Sequence, residues 1–221
     1  AITWENTLAN KDNKNMLRRW FGAYRSAVSS TEGLNKLQKL LSGELSIDNL
    51  DINQDLRWSI INRLNRFNVE GSAALIAKEL ENDNSDRSQK SAIAAEVVRP
   101  EAKTKAKWLA IIQDKNTDLP FSKLRTAMGS LYPVEQYQLN QLTAKQRLDT
   151  LADIDKASDH TFMRSYAGSL IPSSCDTAGV NRLANAIESM SELSAGTQRA
   201  LLVTHQASER CVKIKNKLTV K

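Results

Sequence analysis

The chain has 221 residues, a mass of 24.6 kDa, a net charge of +6 and a pI near 9.3. That length buries a sizeable core, and the reading is a single helical domain over residues 1–221. The longest apolar run is only a few residues, so membrane insertion is not expected. The start, Ala1-Ile-Thr-Trp-Glu5, lacks the basic and apolar segments of a signal peptide.

Charge alone admits nucleic acid, but Lys and Arg are interleaved with Asp and Glu everywhere except residues 210–221. Aromatics make up 5%, too few for a base-stacking surface, so no nucleic-acid partner is expected.

Apolar residues recur at helical spacing along the chain. Met16, Leu17, Trp20, Phe21, Tyr24 and Val28 mark one helix face. Thr31 is placed to cap the next helix, with Leu34, Leu37, Leu40 and Leu41 inside and Gly43 as the stop. Residues 45–52 alternate in polarity, but their Asp and Asn content fits a loop. Ile52, Leu56, Ile60, Leu64 and Phe67 define a third helix, and Leu75, Ile76 and Leu80 a fourth. Ser85 or Asp86 opens a fifth, which stops at Pro100 because the residue before a proline is pushed out of helical geometry.

Pro100 suits the first turn of a sixth helix, with Ala102, Ala106, Leu109 and Ile112 inward. Leu119, Phe121, Leu124 and Met128 suggest a seventh, and Pro133 breaks the chain again. Shorter helices follow around Leu139 to Leu142, Leu148 to Ile154 and Phe162 to Leu170. Asp176 opens one with Val180, Leu183, Ile187 and Met190 inward, and Thr197 opens the last, with Leu201, Leu202, Val212 and Ile214. Helices of roughly 10–17 residues joined by short turns predict an all-α fold, an irregular stack of antiparallel helix hairpins.

One stretch, from Leu40 to Trp108, carries a resemblance. Its centre reads Asp51-Ile-Asn-Gln-Asp-Leu-Arg-Trp-Ser-Ile-Ile-Asn-Arg-Leu64. Glu70-Gly71, Lys78-Glu-Leu-Glu-Asn-Asp-Asn84, an Ala-rich helix, Arg99-Pro-Glu-Ala102 and Lys105-Ala-Lys-Trp108 follow. The succession resembles the C-terminal helical domain of zinc aminopeptidases of the aminopeptidase N type, the gluzincins.

The resemblance implies an armadillo- or HEAT-like α-superhelix that walls the substrate chamber and limits peptide access. The intact enzyme would remove N-terminal amino acids from peptides. The implied partners are a catalytic domain on the same polypeptide, which holds the zinc, and peptide substrates. Members enter this domain through an aromatic-rich segment absent here, so its first helices are expected on a longer chain. The alternative is a free-standing helical-repeat scaffold that binds a protein or peptide.

No catalytic, cofactor or metal residues are expected in this chain. A gluzincin binds zinc through His-Glu-x-x-His, and neither His160 nor His205 is followed by Glu. The Gly-x-Met-Glu-Asn substrate motif and a Gly-x-Ser-x-Gly elbow are likewise missing. Arg57 either faces a peptide carboxylate or fixes the preceding loop through its carbonyls, Asp51 or Asp55; the structural role is preferred. Trp58 and Trp108 read as core residues.

Cys175 and Cys211 admit three readings: metal ligands with the histidines, inert buried thiols, or the preferred disulfide. A helix climbing about 22 Å from Asp176 and one descending equally from Thr197 return residue 211 beside residue 175. Such a bond favours a periplasmic or secreted location.

Overall fold

The computed structural model describes residues 2–189 and 191–219, and their regular structure is entirely helical. The chain divides after Pro100 into two compact units.

The first unit holds α1 (Ile2–Ala9), α2 (Lys14–Ala27), α3 (Thr31–Ser42), α4 (Gln54–Arg66), α5 (Ser72–Asn82) and α6 (Asp86–Val97). Four of these helices start on a polar side chain that accepts a backbone N–H of the first turn. Asn13 takes that of Met16, Ser30 that of Gly33, Asn53 that of Leu56 and Ser85 that of Ser88. The cap of α3 is thus Ser30 rather than the neighbouring Thr31, which is the first helical residue. Gly43 ends α3 at φ 84°, a left-handed conformation that side chains resist.

Gly33 serves close approach instead: a Cβ there would lie 2.2 Å from Val28 Cγ2, so α3 meets the end of α2 only without one. Tyr24 Oη closes that corner by donating to the Gly33 carbonyl at 2.8 Å.

The core of this unit joins Leu17, Phe21 and Tyr24 of α2 to the leucines of α3 and to Ile60, Ile61 and Leu64 of α4. Met16, placed on the same face by periodicity, lies exposed instead. Trp58 is 5% exposed, and its indole N–H donates to Ser88 Oγ at 3.0 Å, tying α4 to α6. Ser88 in turn donates to Asp83 Oδ2 at 2.6 Å, so the chain of bonds reaches the α5–α6 turn.

The second unit holds α7 (Ala102–Gln113), α8 (Phe121–Ser130), a 3-10 turn at Val134–Gln136, α9 (Tyr137–Leu142), α10 (Ala144–Asp149), α11 (Leu151–Ala157), α12 (His160–Leu170), α13 (Thr177–Ser189) and α14 (Ala195–Thr219). The residue that caps α7 is Glu101, so Pro100 stands outside the helix rather than in its first turn. The inward face of α7 is also rotated from the expected one. Lys105, Trp108, Leu109 and Ile112 are buried, whereas Ala102 and Ala106 are exposed. Thr143 leaves helical geometry and the helix is interrupted again at Thr150, so residues 137–157 form three short helices.

Arg147 of α10 is 2% exposed and binds carbonyls rather than a carboxylate. It donates to Leu170 O at 2.7 Å and to Asn140 O at 2.6 Å, and its guanidinium lies 4.2 Å from the Tyr132 ring centroid. Burial pulls its pKa down to about 10.

Cys175 and Cys211 form a disulfide with Cα atoms 5.1 Å apart, which joins the start of the α13–α14 hairpin to the middle of its second helix. Helix α14 is longer than the periodicity suggests, at 25 residues. Its Leu202 and Ile214 are 48% and 53% exposed, contrary to the inward placement read from spacing. Met190, also placed inward, lies outside the described residues.

Replacing Trp58 with Ala should lower unfolding free energy by about 3–5 kcal/mol, because the ring is buried and holds Ser88. Urea denaturation followed by circular dichroism measures this; a loss below about 1 kcal/mol would contradict the packing described.

Candidate functional site

Arg57, singled out by the sequence, sits in a built polar site. It projects from the first turn of α4 and forms a two-point bond with Glu79 of α5: Nε to Oε1 at 2.8 Å and Nη2 to Oε2 at 2.7 Å. Its Nη1 reaches the Leu41 carbonyl at 3.4 Å, so one side chain bridges three helices. The carboxylate is therefore neither Asp55 nor Asp51; Asp55 pairs with Arg87 at 2.8 Å. Glu79 was not singled out in the sequence, although it lies with Lys78 inside the stretch that carries the resemblance. Its side chain is 2% exposed and that of Arg57 30%.

This pair lines a cleft of about 360 Å³ together with Lys39, Lys78, Ser42 and Glu44. Chemically the cleft offers Lys39 and Lys78 beside two carboxylates, of which Glu79 is already spent on Arg57. Glu44 also accepts from Ser42 Oγ there at 3.0 Å.

The second unit carries a larger cleft of about 500 Å³ between the end of α7, α8, α11 and the start of α12. Phe121 and Phe162, with ring centroids 6.2 Å apart, line it with Ile112 and Ile154. Asp114, Asp153 and Asp159 also line it. The periodicity marked the two phenylalanines as helix residues; each ring is half-buried, whereas Leu124 and Ile112 lie in the core. Trp108 is 5% exposed on the buried face of α7 and lines neither cleft.

Among the described residues no group of three or more His, Cys, Asp or Glu converges as a metal site. His160 opens α12, His205 lies within α14, and both cysteines are committed to the disulfide.

The chain matches the ERAP1-like C-terminal domain family over residues 1–210. It belongs to that family. It is also 25% identical over 154 residues to the Aminopeptidase N of Streptomyces lividans. The match covers 69% of this chain and 18% of the relative, so the chain spans about a fifth of that protein's length. The likeness read from residues 40–108 therefore extends along nearly the whole chain: this is a C-terminal domain of an aminopeptidase N-type enzyme.

In this ERAP1-like domain the Leu56-Arg57-Trp58 motif faces two ways from one helical turn. Arg57 holds α3 and α5, and Trp58 holds α6. The Arg57 hydrogen bonds keep the Glu79 carboxyl below its ordinary value of 4.5, against the opposing effect of burial. A carboxyl with a lowered folded-state pKa adds stability above its unfolded value and loses it as pH falls through the folded one.

Glu79→Gln should accordingly cost about 2 kcal/mol at pH 7, discounted from a fully buried pair because Arg57 keeps some solvent. The gap to wild type should narrow as pH drops below about 4.5. Urea midpoints measured at several pH values check this, and a gap that stays constant to pH 3 would contradict it.

Proposed function

We propose that this chain is the non-catalytic C-terminal domain of a zinc aminopeptidase that removes N-terminal amino acids from peptides. Its helices would form an armadillo- or HEAT-like wall around the substrate chamber and limit which peptides enter. The observation that carries the reading is the family match across residues 1–210, joined to the Aminopeptidase N relative of which this chain covers only a part. Such a domain needs no reactive constellation of its own. It needs a stiff surface, and the polar bonds that tie α4 to its neighbours supply one. Its partner would be the catalytic domain of the same polypeptide, which would hold the zinc. The Cys175–Cys211 bond fits an oxidising compartment, periplasmic or extracellular.

The test compares the intact natural polypeptide, the same polypeptide lacking this segment, and the 221-residue chain alone. The intact protein should hydrolyse leucine p-nitroanilide in a chelator-sensitive manner, and the chain alone should not. Without this segment, hydrolysis of long peptides should rise relative to short ones, because the wall that selects by size is gone. An intact polypeptide with no aminopeptidase activity, or chelator-sensitive hydrolysis by the chain alone, would refute the assignment. An unchanged length preference would refute the chamber role.

A further inference from the structure

The cleft of the second unit combines an apolar floor with a rim rich in hydrogen-bond acceptors, three of them carboxylates. At about 500 Å³ it falls within the roughly 300–1,000 Å³ typical of ligand sites. Phe162 stacks on Tyr166 at 5.9 Å and meets Phe121 at 6.2 Å, so the aromatic floor is braced from behind rather than free to collapse. Tyr166 itself is fully buried.

The polar lining is one-sided. Gln113 spends its Nε2 amide on Tyr166 Oη at 2.7 Å and Thr150 Oγ1 at 3.1 Å, which leaves its carbonyl oxygen as an acceptor. Asp159 and Asp114 each use one carboxylate oxygen locally. Oδ1 of Asp159 accepts the N–H groups of Thr161 and Phe162, and Oδ1 of Asp114 accepts that of Asn116. Asp153 takes part in none of the hydrogen bonds or ion pairs among the described residues. Against these three carboxylates the lining offers a single cation, the exposed Lys115. Arg125 lies 5.8 Å from the Phe121 ring centroid.

We propose that this cleft binds a peptide segment in which an apolar side chain is flanked by lysine or arginine. The apolar group rests on the Phe121–Phe162 floor, and the cation reaches Asp153. An acceptor-rich rim selects donors, and a desolvated aromatic floor selects an apolar body; a cationic, apolar peptide supplies both. An acidic peptide would instead meet uncompensated carboxylates. The proposal deepens the reading above, by naming the class of peptide the domain takes, and rests on it for the ligand being a peptide.

Binding is measured by amide chemical shifts on the isotope-labelled 221-residue chain. The probes are the acetylated, amidated tripeptides Lys-Phe-Lys, Glu-Phe-Glu and Lys-Gly-Lys. Lys-Phe-Lys should shift amides within residues 112–124 and 150–162 and bind about tenfold or more tighter than either control. Asp153→Lys should weaken it about tenfold while leaving circular dichroism unchanged and the urea midpoint only slightly lowered, because the Asp153 side chain makes no internal bond and loses only its place in the first turn of α11. Equal binding of Glu-Phe-Glu, an unaffected Asp153→Lys, shifts confined elsewhere, or no binding at all would each overturn the proposal. Such a failure leaves the hydrolysis assays on the intact polypeptide unaltered, so the two readings fail separately.

Discussion

The Arg57–Glu79 pair is the constraint on which the first unit depends. Glu79 is almost fully buried in α5, and a lone carboxylate there would be prohibitive. A planar, two-point donor satisfies both oxygens at once, and Arg57 supplies it while also holding the Leu41 carbonyl at the end of α3. Neighbouring polar bonds repeat the device. Arg63 Nε donates to the Val28 carbonyl at 2.8 Å, and Asn65 Nδ2 donates to Ser72 O at 2.9 Å. Apolar packing brings these helices together; directional bonds such as these fix their register, which non-directional burial leaves open.

The second unit solves the same problem without a carboxylate. Arg147 stands at the carbonyl ends of α9 and α12, where the backbone presents partial negative charge. Its lowered pKa records that the site holds the charge at a cost, and Tyr132 and Tyr166 offset part of it. The disulfide then fixes the last hairpin covalently. The proposed role, a fixed surface presented to a catalytic domain, would benefit from such stiffness. The same braced packing keeps the Phe121–Phe162 cleft open.

Much of the fold was legible because the burial pattern follows the helical period. Leu17, Phe21 and Tyr24, the leucines of α3, and Ile60 with Leu64 were placed correctly by spacing alone. The ends were less so, since Ser30 and Thr31 are chemically equivalent caps and only the backbone angles choose between them. Helix α1 left no trace in the pattern, because its Ile2 and Leu8 are exposed, its fully buried residue is the polar Thr7, and its apolar contact is Trp4, 4.8 Å from Tyr24.

The buried charges were the main blind spot. Lys105, Arg147 and Glu79 look like surface residues in sequence, and distant partners decide otherwise for Arg147 and Glu79. On α7 that reversal misled the choice of face: a buried Lys105 beside exposed alanines inverts the usual pattern. The stretch that carried the family likeness contained the Arg57 site, yet Glu79, distant from Arg57 along the chain, had no local signal pointing back to it.

A double-mutant cycle on Arg57→Met and Glu79→Met tests most directly whether this pair governs the packing of α3, α4 and α5. Unfolding free energies of wild type, both single variants and the double variant isolate the pairwise coupling. A coupling of about 2 kcal/mol or more, with the double variant more stable than Arg57→Met, which leaves the buried Glu79 carboxylate unpaired, is the result predicted for a buried two-point bond. A coupling below about 0.5 kcal/mol, the level of an ordinary surface pair, would contradict it.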